Sequence, residues 1–372
     1  LGFVGGLYAK INHNTGKSME MQKFEGESEP QPEQKQLFID KEIDAIMARI
    51  TRPPEGQVDY LKKRPEELEA ARNEILLDVG ENCPEGVNLS RAKDFVESMG
   101  LEVNPVVFVD ESNTARINEI LTKHSIIGME WVPGESGDYS QQLGLVFVKI
   151  NRETGGANEL FRAESLAVHE MFHSTSKYGG TISKAMRGRI EMADRRLGFC
   201  SGAPGKPFGE FLEEGFAEFM RGRYSKIYAD ENYKKSVEIA TGKKFSENVL
   251  KTSAGVGEYL LPVKYAMPTA TGEAQWPVAS VAAFAIEQFC EVIPDLESHM
   301  VEARKSASGL KKVFKDIESV CPGLYLELQK GAYDENSFVK KLLLVRERVA
   351  EYTAKKNSEA SQGSISSGIA ET

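Results

Sequence analysis

Apolar positions recur at helical spacing along the first part of the chain. Phe38, Ile39, Ile43, Ile46 and Met47 mark one amphipathic helix, and the windows 68–79 and 92–99 mark two more. The period then shortens. Residues 105–110 and 144–150 are apolar, β-branched and bounded by turn formers, which predicts two strands, with 125–132 a third. Between 161 and 176 the helical stripe returns as Phe161, Val168, Met171 and Phe172, and Gly179 and Gly180 suit its C-terminal cap. In 208–220 the stripe is largely aromatic: Phe208, Phe211, Leu212, Phe216, Phe219 and Met220 must face a core. Residues 279–290 are apolar nearly all round, which predicts a buried helix. The segments 294–306, 310–320 and 338–349 continue with amphipathic spacing. The pattern is that of an α+β protein in which a small sheet leads into a helical pair and a mostly helical lobe follows.

The ends read differently. Residues 19–36 are dense in Glu, Gln and Pro with few large apolar groups, so they cannot bury enough surface to order themselves. From Lys355 the chain turns Ser-, Gly- and Ala-rich, which predicts a disordered tail. The expected organisation is a linker-like 1–36, a helical 37–104, a central core over 105–228 that holds the sheet and the helical pair, a helical lobe over 229–352 and a tail over 353–372.

Composition adds limits. A chain of 372 residues with 41% hydrophobic content can build a large core. A formal net charge of -10 argues against nucleic acid and anionic membranes as partners, since both attract basic surfaces. Residues 1–9 are apolar and Gly-rich but far too short to span a bilayer. The chain starts without Met, so an upstream extension or a lost signal sequence is compatible with it. With no signal peptide, membrane span or paired cysteine pattern to read, the expected location is the cytoplasm. Cys83, Cys200, Cys290 and Cys321 are scattered, without metal-ligand spacing.

The chemistry concentrates in His169-Glu170-Met171-Phe172-His173, an HExxH sequence on the predicted helix. At 100° per residue the two histidines sit one turn apart on one face, so both rings can converge on one ion, with Glu170 beside them. Two imidazoles leave a tetrahedral catalytic zinc short of one protein ligand, because such sites take three and keep a position for water. The other histidines, His13, His124 and His299, stand alone, so a carboxylate is the expected third donor. The richest source is the helix over 208–220, where Glu210, Glu214 and Glu218 lie opposite the aromatic stripe. That side is either a solvated acidic face or a ligand face turned toward the histidines. Acids stacked at i, i+4 and i+8 repel by a few tenths of a kcal/mol per pair, a cost a cation would remove.

An HExxH helix followed by a separate Glu-bearing helix resembles the gluzincin metallopeptidases. Leu212-Glu213-Glu214-Gly215-Phe216-Ala217 resembles the LNEGFA stretch of their aminopeptidase branch. The resemblance implies a zincin-like catalytic domain, one Zn2+ per chain and Glu214 as third ligand. It implies Glu218, one turn on, as the acid that holds a zinc-bound histidine, as in the ExxxD pattern of the thermolysin branch. Forty residues lie between His173 and Glu214, about twice the spacer of those branches. An insertion must therefore fit between the helices, and 186–200, with alternating Arg189-Ile190-Glu191-Met192, could supply it as a hairpin. Gly128-Met129-Glu130-Trp131 is a faint echo of the GAMEN sequence that binds substrate amino termini, and reads better as an ordinary strand.

The expected activity is peptide-bond hydrolysis on a peptide or protein substrate, with Glu170 as general base for a metal-activated water. A tetrahedral oxyanion needs a further donor. In gluzincins a later Tyr or His supplies it, which makes Tyr265 and Tyr259 the candidates here. Two other classes share these residues: a non-catalytic zincin-fold binding protein, and a zinc hydrolase of a non-peptide amide or ester.

Overall fold

Helices over 66–78 and 89–97 open the part of the chain that the computed structural model describes. It describes residues 66–368 apart from 125, 127–136, 141–142, 151–156, 176–180, 185–189, 198, 204–205, 254–256, 269–272 and 330–333. The predicted helix around Phe38–Met47, the strand over 125–132 with its Gly128–Trp131 echo, and the Gly179-Gly180 cap lie outside the described residues.

A three-stranded sheet sets the frame. Strand β1 (Val106–Val109) pairs in parallel with β3 (Leu145–Lys149), and β2 (Gly137–Ser140) pairs antiparallel on the other side of β3. The order is β1-β3-β2, which leaves β2 on an edge among the described residues. Alternation along β1 and β3 divides their side chains between two cores. Val107, Val109, Leu145 and Phe147 face α1 (Glu66–Asp78) and α3 (Glu111–Lys123), through Leu68, Ala71, Ile75, Ile117 and Ile120. Val106, Phe108, Val146 and Val148 face the larger core, which holds α2 (Leu89–Glu97) and α4 (Ala157–Ser174). A parallel pair covered on both faces has no solvated side, and this is why both strands are almost uninterrupted apolar runs.

Helix α4 crosses the sheet and packs on α5 (Glu210–Tyr228). Between them lies an antiparallel meander, β4 (Thr181–Lys184), β5 (Ile190–Leu197), β6 (Cys200–Ala203) and β7 (Lys206–Phe208), larger than the single hairpin the spacer predicts. After α5 come α6 (Glu231–Thr241), a hairpin of β8 (Asn248–Ser253) and β9 (Gly257–Pro262), a 3-10 turn (Val263–Tyr265), and a two-stranded pair of β10 (Met267–Pro268) and β11 (Ala274–Gln275). The rest is helical: α7 (Ala279–Val292), α8 (Leu296–Lys305), α9 (Ala307–Val320), α10 (Leu324–Gln329) and α11 (Glu335–Gly368). Helix therefore predominates in a mixed α+β protein.

Helix α7 is buried between α5 and α11, as its all-round apolar sequence predicts. Its contact with α5 is close because residue 215 is glycine. A Cβ there would lie 2.8 Å from Ala282 Cβ and 3.0 Å from the Ala282 carbonyl carbon. The tail expected from Lys355 is instead a continuation of α11 as far as Gly368. Ala350, Glu351, Ala354, Lys355, Lys356 and Glu359 are strong helix formers that carry the last described turns forward, and Lys355 and Glu359 pair at 4.0 Å across one turn. No helix among the described residues is long and apolar enough to cross a membrane.

Candidate metal centre

The HExxH residues fall in the last two turns of α4, where the helix passes beneath β2 and β3 and meets α5. His169, Glu170 and His173 are all buried, more deeply than an amphipathic edge position predicts. Helix α5 explains this. Its acids do not face solvent: Glu210, Glu213, Glu214 and Glu218 are buried as fully as its aromatic stripe. Glu214 and Glu218 of that face turn toward the histidines, whereas Glu210 lies near Lys341.

Three atoms from two helices form a triangle. His169 Nε2 lies 3.1 Å from His173 Nε2, and Glu214 Oε2 lies 3.5 Å from the first and 3.6 Å from the second. Donors about 2.0–2.1 Å from a tetrahedral ion stand about 3.3 Å apart, so the triangle has the size such an ion needs. These three residues are a group that could hold a metal ion.

The far side of each ring decides what the near side offers. His169 Nδ1 lies 3.2 Å from Glu218 Oε2, and His173 Nδ1 lies 2.8 Å from Glu213 Oε1. Burial opposes charge on both carboxylates, but Arg221 beside Glu218, Arg304 beside Glu213 and the imidazoles hold them below the ordinary range. An ionised carboxylate only accepts, so each Nδ1 carries the proton and donates it. Neutral rings would then point both Nε2 lone pairs at one another and at Glu214 Oε2, an arrangement that a proton or a metal cation relieves.

Two buried arginines stabilise the outer carboxylates. Arg221 donates from Nε and Nη2 to the two oxygens of Glu218, each at 2.6 Å, and Ser280 Oγ donates to Glu218 Oε1 at 3.0 Å. Arg304 donates from Nη1 to Glu213 Oε1 at 2.7 Å. With both rings neutral, the three carboxylates that touch the imidazoles and the two guanidiniums that answer them leave one net negative charge. A divalent cation in the triangle would leave the centre positive, as a Lewis-acid site requires. The same field acts on the rings. Burial alone would lower His169, but Glu214 and Glu218 outweigh it and push it up to about 9, and Glu214 and Glu213 push His173 well above its usual range.

Glu170 is not part of the triangle and touches β2 instead. Its Oε1, Cγ and Cδ stand 2.6, 2.7 and 2.9 Å from where a Cβ on Gly137 would be. Burial is the main cause that pushes its carboxyl up to about 7, with Asp138 and Glu214 adding to it and the two imidazoles opposing.

The predicted residues His169, Glu170, His173, Glu214 and Glu218 are therefore brought together. The two tyrosines are not. The Tyr265 ring packs where a Cβ on Gly222 would lie, 2.1 Å from its Cε1, and Gly222 is two turns, about 12 Å, along α5 from Glu214. Its backbone carbonyl accepts from Arg221 Nη2 at 2.8 Å, so it supports the centre only from behind. Tyr259 donates to Glu335 Oε1 at 2.7 Å and ties β9 to the start of α11. Both were candidates by chain position alone, which says nothing about which side of α5 a later segment packs on.

Glu213, Arg221, Ser280 and Arg304 escaped the sequence reading. Arg221 carried a signal, since it lies three residues after Glu218 on the same helix. Glu213 sits beside Glu214 without any periodic distinction, and Arg304 is 91 residues further on. Comparison with protein-family models, curated proteins and solved structures finds no match.

Proposed function

We propose that the chain is a zinc-dependent peptidase of the gluzincin type, with a zincin-like arrangement of sheet, HExxH helix and Glu helix. The observation that carries this reading is the triangle of two Nε2 atoms and one carboxylate oxygen, each imidazole being fixed from behind by its own carboxylate. Two imidazoles and one carboxylate are the donor set of hydrolytic zinc sites. His169, His173 and Glu214 would hold the ion. When bound, zinc supplies Lewis acidity toward water and toward a scissile carbonyl.

The chain's own residues supply the rest. Glu170 stands beside the triangle and outside it, so its carboxylate takes a proton from the attacking water and delivers it to the departing amine. The seat against Gly137 places this carboxyl at β2, an edge strand among the described residues, where an extended peptide would add its backbone beside the carboxyl. Nearly complete burial of Glu170 and both rings keeps bulk water from competing for their protons.

The test is paired. Purified protein should carry about one zinc per chain and cleave peptides from a mixed library. Glu170→Gln should keep the metal and lose cleavage by a factor of about 10²–10⁴. Metal-replete wild type that cleaves no peptide would refute the peptidase reading.

A further inference from the structure

Glu213 is the meeting point of three parts of the chain that are far apart in sequence. Its Oε1 accepts from His173 Nδ1 at 2.8 Å and from Arg304 Nη1 at 2.7 Å, while Oε2 accepts from the backbone N–H of Phe199 at 2.7 Å. His173 belongs to α4, Phe199 to the turn between β5 and β6, and Arg304 to α8. The Arg304 guanidinium is fully buried between two rings, 5.3 Å from the centroid of Phe199 and 5.2 Å from that of Phe216. The other clamp differs. Glu218 and Arg221 are both on α5, so the hold on His169 is local to the helical pair.

We propose that Arg304 is a positioning residue for His173, and that through Glu213 it makes metal retention depend on the seating of α8 and of the β5–β6 turn. This rests on the metal-centre reading above and adds a structural control to it. Arg304 Nη1 and the Phe199 N–H hold the two oxygens of Glu213, so that Oε1 stays aimed at His173 Nδ1 and the ring keeps Nε2 toward the triangle. Without Arg304 the carboxylate loses one of the contacts that orient it, and the imidazole loses the fixed partner that sets its orientation. Loss of such an outer partner costs about 10- to 100-fold in metal affinity.

The experiment follows zinc leaving the loaded full-length protein into an excess of a colorimetric chelator. Arg304→Met should release zinc about 10- to 100-fold faster than wild type. Arg304→Lys, which keeps a charge but not the planar fit between the rings, should fall between the two. The control is Arg91→Met, because the half-buried Arg91 donates from Nε at 2.9 Å to the buried Glu164, five residues before the first histidine of the triangle. It should lower the melting temperature without changing the release rate. If wild type takes up no zinc, the metal-centre reading fails and this inference with it. If wild type binds zinc and Arg304→Met releases it at the wild-type rate, or no faster than Arg91→Met, the metal centre stands and the Arg304 assignment alone is overturned.

Discussion

Gly137 and Glu170 touch across the sheet–helix interface so closely that residue 137 has no room for a Cβ, which would fall 2.6 Å from the Glu170 Oε1. The atoms in the way, Oε1, Cγ and Cδ, all belong to the Glu170 side chain and not to backbone, so Gly137→Ala should fold and displace the carboxyl instead. Because placement of a base by about an ångström can matter by about 10²-fold, peptide cleavage should fall by that order. Zinc content should stay near wild type, since no ligand touches residue 137. Parallel loss of zinc and cleavage would show that the glycine supports the whole centre and not the base alone.

Glu214 differs from its neighbour on the same face. Glu214→Ala removes one donor of three and should abolish stoichiometric zinc binding, whereas Glu210→Gln, one turn earlier, should leave it intact. A ligand present at a hundred times its dissociation constant stabilises the folded state by about 2.7 kcal/mol. Chelation should therefore lower the melting temperature of wild type and leave that of Glu214→Ala unchanged, as differential scanning calorimetry can show.

Gly215 is a packing residue beside Glu214. Adding a methyl group there forces it against Ala282, so Gly215→Ala should cost about 1–3 kcal/mol of stability. Ala282→Gly should recover only part of that cost in the double variant, because the Ala282 carbonyl carbon is also in the way, at 3.0 Å. Urea unfolding of the four species closes the cycle. Additive costs would mean that the two residues do not meet.

Lys341 gives the fold a pH signature remote from the triangle. Burial, against the attraction of Glu210 and Asp334, pushes its ammonium down to about 8, and its Nζ lies 5.2 Å from the Phe211 ring centroid. The folded state therefore loses this proton near pH 8 while the unfolded chain keeps it to about 10.4. Between those values the unfolded state binds more protons, so this lysine adds stability as pH rises through the window. Lys341→Met removes the dependence. The melting-temperature difference between variant and wild type should favour the variant most at pH 7 and narrow toward pH 10. A constant difference would contradict the depressed lysine.

Much of this was legible beforehand, and the reasons are specific. The apolar runs of β1 and β3 and the all-round apolar α7 announce burial on every side, which few other elements can satisfy. The HExxH spacing fixes two rings on one face whatever the rest of the fold does. Glu214 and Glu218 followed from a local motif. Glu213 and Arg304 did not, because an ion pair between residues 91 apart leaves no mark on the periodicity of either helix. Tyr259 and Tyr265 rested on their positions in the chain alone, whereas the structure packs the Tyr265 ring on Gly222 and has Tyr259 donate to Glu335.

The N–H of Phe199 gives the long spacer between His173 and Glu214 a thermodynamic rationale. Doubling the length of a flexible connection raises its closure cost by only about 0.6 kcal/mol. A hydrogen bond to a charged group contributes about 1.5–3 kcal/mol. One backbone amide delivered to Glu213 Oε2 therefore outweighs the entropy of the added residues. A shorter connection between these helices would have to find that donor in a side chain, so the extra length lets the meander meet with main chain a need that would otherwise constrain the choice of amino acid.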